Sequence, residues 1–171
     1  MSVSDIHKDY IYKSTDYLKI TDDIIGDMLM NRVKRIDGKL KLNINTCVHE
    51  IIEKWYKLSE EVKNYNIPIT LYRGVRYSKN DKIIVQPIPF STCVKYEYAK
   101  DWIHNNGYIM KINVKDKTPY TFIDNINEGD EVVLPSGYLH QIKTLNNENI
   151  IEYDFVPLNH NEMMKLHQEL Q

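Results

Sequence analysis

The sequence predicts an α+β fold with its helices gathered at the N-terminal end, and three observations lead there. Ahead of Pro68, apolar residues recur at steps of three and four, the stripe of an amphipathic helix. Beyond it the pattern changes to short runs rich in Ile, Val, Tyr and Phe, several of them alternating apolar with polar residues, as half-buried strands do. Helical and extended segments also come in blocks, so the strands are not each followed by a crossover helix. At 171 residues the chain has the length of one domain and can bury a continuous core. Residues 1–66 are expected to form its mainly helical portion, and 67–171 its β core with a short C-terminal helix.

The elements are expected in this order. Residues 5–19 read as a helix. A second covers 22–36, with Thr21 as its cap, Asp22 and Asp23 in a first turn where the dipole favours them, and Gly38 where a helix end wants glycine. The third runs over 48–62: Val48, Ile51, Ile52, Trp55, Leu58 and Val62 share a face, Asn45 or Thr46 caps it, and 64–68 ends it. Strands follow at 69–75 and 83–85, and Pro87 and Pro89 lead into an extended 90–94. One helix is expected over 96–105, closed by Asn106-Gly107. The run 108–114 sets Tyr108, Met110, Ile112 and Val114 against Ile109, Lys111 and Asn113, a strand with one face buried. Further strands are expected at 119–123, 130–134, 138–145 and 150–156, with a turn at Asn146-Asn147 joining the last two and a helix from about 161.

Composition narrows the class. The 22 Lys and Arg against 24 Asp and Glu leave a net charge of −2, with pI about 6.3, so no net basic field is available to grip a nucleic-acid backbone. No apolar run approaches the ~20 residues that cross a bilayer, the N-terminus lacks the layout of a signal peptide, and Ser2 excludes N-myristoylation. Cys47 and Cys93 are too few for a disulfide framework. The expectation is a soluble protein without a membrane partner, cytoplasmic in its own cell or in a host's. Ala99 is the single alanine, and Arg32, Arg35, Arg73 and Arg76 are the only arginines among many lysines. Each arginine is therefore worth attention where Lys is the default.

The usual chemical motifs are missing: no Gly-rich phosphate loop, no G-x-S-x-G elbow, no H-E-x-x-H. Cys47-Val48-His49 has no second pair to complete a zinc site and reads as a buried thiol beside a surface histidine. His104, His140 and His160 stand alone, as surface or strand residues. The basic run 31–41 reads as a solvated helix face. Three segments differ. Leu71-Tyr72-Arg73-Gly74-Val75 sets an arginine partway along an apolar strand, where a planar fork suits a phosphate or carboxylate. Phe90-Ser91-Thr92-Cys93 puts two adjacent hydroxyls after a proline-flanked aromatic. Glu128-Gly129-Asp130-Glu131 is an acidic turn running straight into Val132-Val133-Leu134-Pro135-Ser136-Gly137.

In order and spacing these three segments resemble the R-S-E class of mono-ADP-ribosyltransferases, which includes bacterial toxins, phage transferases and vertebrate ecto-enzymes. That class carries an arginine on its first core strand, an S-T-S segment, and a Glu/Gln-x-Glu on a later strand. The likeness covers about residues 12–157, with the specific motifs in 71–137. It implies an N-terminal helical subdomain followed by two packed mixed or antiparallel sheets that form an NAD cleft. NAD would be the co-substrate, with no metal required.

The resemblance implies roles residue by residue. Breaking the nicotinamide–ribose bond leaves an oxocarbenium-like centre, as in glycoside transfer, and Glu131 would stabilise that charge and bind the ribose 2-hydroxyl. Arg73, with Gly74 beside it, would meet the dinucleotide phosphates. Ser91 would hold Glu131 in its working rotamer, and Thr92 would support the strand or the ligand. Tyr96 and Tyr98 would line the nicotinamide side. The stretch 124–130, with Asp124, Asn127, Glu128, Gly129 and Asp130, would face the acceptor.

Two residues depart from the class pattern. Cys93 stands in place of the second serine. Gly129, two before Glu131, stands where arginine-modifying members carry Glu and another branch carries Gln; positions i and i+2 of a strand share a face, so Gly129 puts no side chain beside Glu131. The alternative register, Glu128-Gly129-Asp130, restores an acid pair but puts Asp in the catalytic place and turns the following strand over. The reading is a transferase moving ADP-ribose from NAD to a macromolecule, a protein side chain in preference to nucleic acid. The alternatives are an NAD glycohydrolase with water as acceptor, and a binding module of the same fold.

Overall fold

The computed structural model describes residues 33–36, 39–42, 44, 46–60, 69–75, 81–101, 103, 107–123, 131–145 and 149–170. The helix expected at 5–19 and most of the one at 22–36 lie outside these residues. Where 22–36 is described it is not helical: β1 (Val33–Ile36) pairs antiparallel with β2 (Lys39–Leu42) in the register Ile36↔Lys39. Gly38 suits a helix end, yet Asp37-Gly38 is also a dipeptide favoured between two antiparallel strands.

The amphipathic stripe forms α1 (Thr46–Glu60), beginning at Thr46. Its buried face carries Val48, Ile52, Trp55 and Tyr56. The strands follow as β3 (Ile69–Val75), β4 (Ile83–Gln86), β5 (Phe90–Cys93), β6 (Tyr108–Val114), β7 (Thr121–Ile123), β8 (Glu131–Leu134), β9 (Gly137–Leu145) and β10 (Ile150–Pro157). The helices α2 (Tyr96–Lys100) and α3 (His160–Leu170) complete the order. The helix expected over 96–105 stops at Lys100, with Asp101 already in the turn. A segment whose one buried residue is Ala99, and whose N-cap makes no side-chain bond, has too small a packed face to extend. No described helix is long and apolar enough to cross a membrane.

The eight strands β3–β10 are hydrogen-bonded in the order β4-β9-β10-β6-β3-β5-β8-β7, with β10 and β6 parallel and the other neighbours antiparallel. This run is pinched. β3 and β6 share seven register pairs, but β3 and β5 share only Tyr72↔Cys93. The two sheets expected from the sequence are thus two arms of one ladder, β4-β9-β10-β6-β3 and β5-β8-β7, folded towards each other across that single pair. Leu71, Met110, Tyr153 and Phe155 of the first arm bury against Phe90, Val132 and Leu134 of the second, and the Phe90 and Phe155 rings meet edge-on at 5.6 Å. The second arm is covered on its other face as well: Val133 packs with α1, α3 and Ile88, and Trp55 Nε1 donates to Thr121 Oγ1 at 2.8 Å. Burial on both faces explains why β8 reads as an unbroken apolar run instead of an alternation.

The chain passes between arms at two prolyl crossings, where no ladder donor is lost. Pro87-Ile88-Pro89 carries β4 into β5, and Pro135-Ser136 carries β8 into β9; all five residues are buried. The crossings are tied together by Ser136 Oγ, which donates to the Gln86 carbonyl at 2.7 Å. Just beyond, a Cβ on Gly137 would fall within 2.6 Å of the Phe155 ring and closer still to the Val156 carbonyl, so only glycine fits there.

Candidate active site

The site forms at the pinch. On β3, Arg73 shares a face with Leu71 and Val75, and its partner across the ladder is Met110. The side chain is half-buried and spans the gap that backbone pairing leaves open: Nη1 donates to the Ser91 carbonyl at 2.6 Å. Its guanidinium carbon stands 5.8 Å from the Phe90 ring centroid. Among the described residues Arg73 Nε, though buried, has no acceptor. A buried N–H without a partner is costly, and this one suits an anionic ligand entering beside it.

Alternation along β5 sends Phe90 and Thr92 into the core between the arms, and Ser91 and Cys93 to the other face. The register Ser91↔Val133 and Cys93↔Glu131 then puts Ser91 diagonally opposite Glu131. Ser91 Oγ donates to Glu131 Oε1 at 2.5 Å, a short, charge-assisted contact. Arg73, Ser91 and Glu131 are therefore linked in series, guanidinium to carbonyl and hydroxyl to carboxylate, and all three are half-buried. Cys93 stands directly across from Glu131 and is half-buried.

The other residues named from the resemblance fall as follows. Thr92 is buried, and its hydroxyl donates to the Val132 carbonyl at 2.7 Å; it clamps β5 to β8 from the face opposite Ser91. Gly74 follows Arg73 on β3 and pairs with Ile109. Tyr96 and Tyr98 are half-buried on α2. The Tyr96 ring lies edge-on to Tyr72 at 5.9 Å, with Lys100 Nζ 4.7 Å from its centroid. Asp124, Asn127, Glu128, Gly129 and Asp130 lie outside the described residues. No group of three His, Cys, Asp or Glu among the described residues is placed to hold a metal ion.

His49 and His160 depart from the sequence expectation, and His167 joins them. His49 is not a solvated surface residue: its Nε2 stands 2.9 Å from His167 Nδ1, with the rings stacked at 5.2 Å. His160 does not stand alone: its ring meets Tyr56 at 5.5 Å, and it acts electrostatically on both other imidazoles. Burial, and secondarily the neighbouring imidazoles, hold His49 and His167 below the ordinary histidine value of 6.5. A separation of 118 residues leaves no local signal for this pair.

The pinched ladder with its flanking helices is the ADP-ribosyltransferase fold. Solved structures with this architecture include C3larvin toxin, an ADP-ribosyltransferase from Paenibacillus larvae, at TM-score 0.59 and 15% identity over 91% of this chain and 96% of that one. The enzymatic component C2-I of the C2 toxin from Clostridium botulinum matches at TM-score 0.59 and 15% identity, and the ADP-ribosylating toxin BECa of C. perfringens, solved with NADH, at 0.54 and 12%. Each of those two alignments covers 90% of this chain but 46% of the toxin component. No family model and no curated protein matches the sequence.

Proposed function

We propose that the chain is an NAD-dependent mono-ADP-ribosyltransferase that moves ADP-ribose from NAD to a protein side chain. The observation that carries this reading is the series Arg73–Ser91–Glu131, closed by contacts of 2.6 and 2.5 Å within a fold shared with ADP-ribosylating toxins. In the reaction the bond from ribose to nicotinamide breaks and nicotinamide leaves with the electron pair. Positive charge develops at the ribose carbon, and the Glu131 carboxylate stabilises it while accepting a hydrogen bond from the ribose 2-hydroxyl. The acceptor nucleophile then bonds to that carbon and gives up its proton. Ser91 fixes the carboxylate; Arg73 fixes Ser91 through one nitrogen and offers Nε to a phosphate of the dinucleotide. Tyr96 and Tyr98 would line the nicotinamide side, and 124–130 would face the acceptor.

Gly129, which leaves no side chain two residues before Glu131, favours a second reading in which water is the acceptor. One experiment separates the two. Purified protein is incubated with adenine-labelled NAD and a cell lysate, beside a Glu131→Gln control, and labelled protein and free nicotinamide are followed together. A discrete labelled band that disappears in the control supports transfer. Nicotinamide without labelled protein supports hydrolysis. Neither product, with NAD still bound, refutes both and leaves a binding module.

A further inference from the structure

The corner where α1, α3 and the Pro87 crossing meet is held by two imidazoles. His167, 1% exposed, stands with Nε2 2.5 Å from the Pro87 carbonyl and Nδ1 2.9 Å from His49 Nε2. A carbonyl only accepts, so the network assigns the His167 proton to Nε2 and leaves Nδ1 bare. His49 must then donate through Nε2. One additional proton fits: it goes to His49 Nδ1 and leaves both hydrogen bonds intact. A second has no such place, because on His167 Nδ1 it faces the His49 N–H, setting two donors and two cations against each other.

Among the described residues, no acidic group is placed to offset a second charge on the pair. On α3, Met163, Met164 and Leu170 stand one turn either side of His167. His160, on the same helix, adds repulsion when charged. On α1, Glu53 is one turn from His49 but pairs with Lys57 at 3.5 Å, and the Tyr56 phenol donates to the Leu158 carbonyl. Glu162 is engaged with Asn159 in the cap of α3. The crossing itself, Pro87-Ile88-Pro89, has no titratable group, β8 contributes Val133 and β2 contributes Leu42, with Lys39 and Lys41 at alternate positions of that strand.

We propose that His49 and His167 form an acid-sensitive latch, which clamps α1 and α3 onto the Pro87 crossing while the pair carries at most one extra proton and releases them when both rings are protonated. The clamped segment enters β5 four residues before Ser91, so the latch controls how firmly that strand is seated. The latch does not depend on the enzymatic reading. The sign follows from proton counting. Both rings titrate below 6.5 in the folded chain, so the unfolded chain takes up protons first. Stability is full above about pH 6.5 and falls as pH drops through the lowered folded values.

The test is urea denaturation from pH 7.5 to 5.0 on the wild type and on His49→Gln, with histidine ring-proton NMR titrations of both. A glutamine amide turns either its NH2 or its oxygen towards His167, so that ring gains the freedom to charge without losing its partner. Below pH 6.5 the wild-type unfolding constant should rise by about tenfold per pH unit more than that of His49→Gln. The His167 resonance should stay neutral in the native wild type and titrate in the variant. Equal acid slopes, or independent titration of both rings near 6.5 in the native wild type, would overturn the latch. If His49→Gln does not fold, the wild-type titration alone decides on the same criterion.

Discussion

Replacing Ser91 with alanine removes one hydroxyl and almost no volume, so it isolates what the 2.5 Å contact to Glu131 contributes. Hydrogen bonds to charged groups contribute about 1.5–3 kcal/mol net. Because both partners are half-exposed, water can take the place of the lost donor, which favours the lower half of that range. If the hydroxyl acts by holding the carboxylate in its working rotamer, the loss falls on the transition state. The rate constant for nicotinamide release should then drop about 10- to 50-fold, at 1.36 kcal/mol per factor of ten, with KM for NAD little changed. The double variant Ser91→Ala, Glu131→Gln should be no slower than Glu131→Gln alone, since the hydroxyl has nothing left to position. Release kinetics and a thermal melt on each protein suffice. A single variant within about twofold of wild type, or losses that simply multiply in the double, would refute the series Arg73–Ser91–Glu131 as a working unit.

Three other substitutions test separate parts of the structure. Arg73→Lys keeps the charge but loses the fork that meets Ser91 and a ligand together; NAD should bind about tenfold more weakly by calorimetry, with the circular dichroism unchanged. Trp55→Phe leaves a gap at a fully buried position and strands the Thr121 hydroxyl, which should cost about 2–3 kcal/mol in urea denaturation. Gly137→Ala drives a methyl into the Val156 carbonyl and the Phe155 ring; a backbone atom cannot step aside, so at least about 2 kcal/mol of stability should be lost.

Alternation makes most of the β core legible: β6 is readable over its full length because Tyr108, Met110, Ile112 and Val114, all on one face, lie in the core between the arms. β7 proved shorter than the pattern at 119–123, since Pro119 cannot donate to a ladder. The strand β1 was hidden by ambiguity, because Val33 and Ile36 fit a helical spacing as well as a strand and Asp37-Gly38 terminates either. For the site, the residue types spoke and the distances did not. Ser91 and Glu131 are 40 residues apart and Arg73 is 18 from Ser91; only the ordered likeness to a known class suggested that they meet. The histidine corner offered no such likeness, and its partners come from opposite ends of the described chain.

The pinch between β3 and β5 gives the arrangement its physical logic. A continued ladder would satisfy the backbone groups of Ser91 within the sheet and press the arms flat, leaving no cleft. Ending it after Tyr72↔Cys93 exposes a carbonyl that needs a donor, and Arg73 supplies one from the inward face of β3. The same guanidinium keeps a buried Nε that has no acceptor among the described residues. A lysine cannot do both, having no planar fork to hold a carbonyl with one edge and an anion with another. In a chain that otherwise favours lysine, an arginine at position 73 follows from the point where the sheet divides.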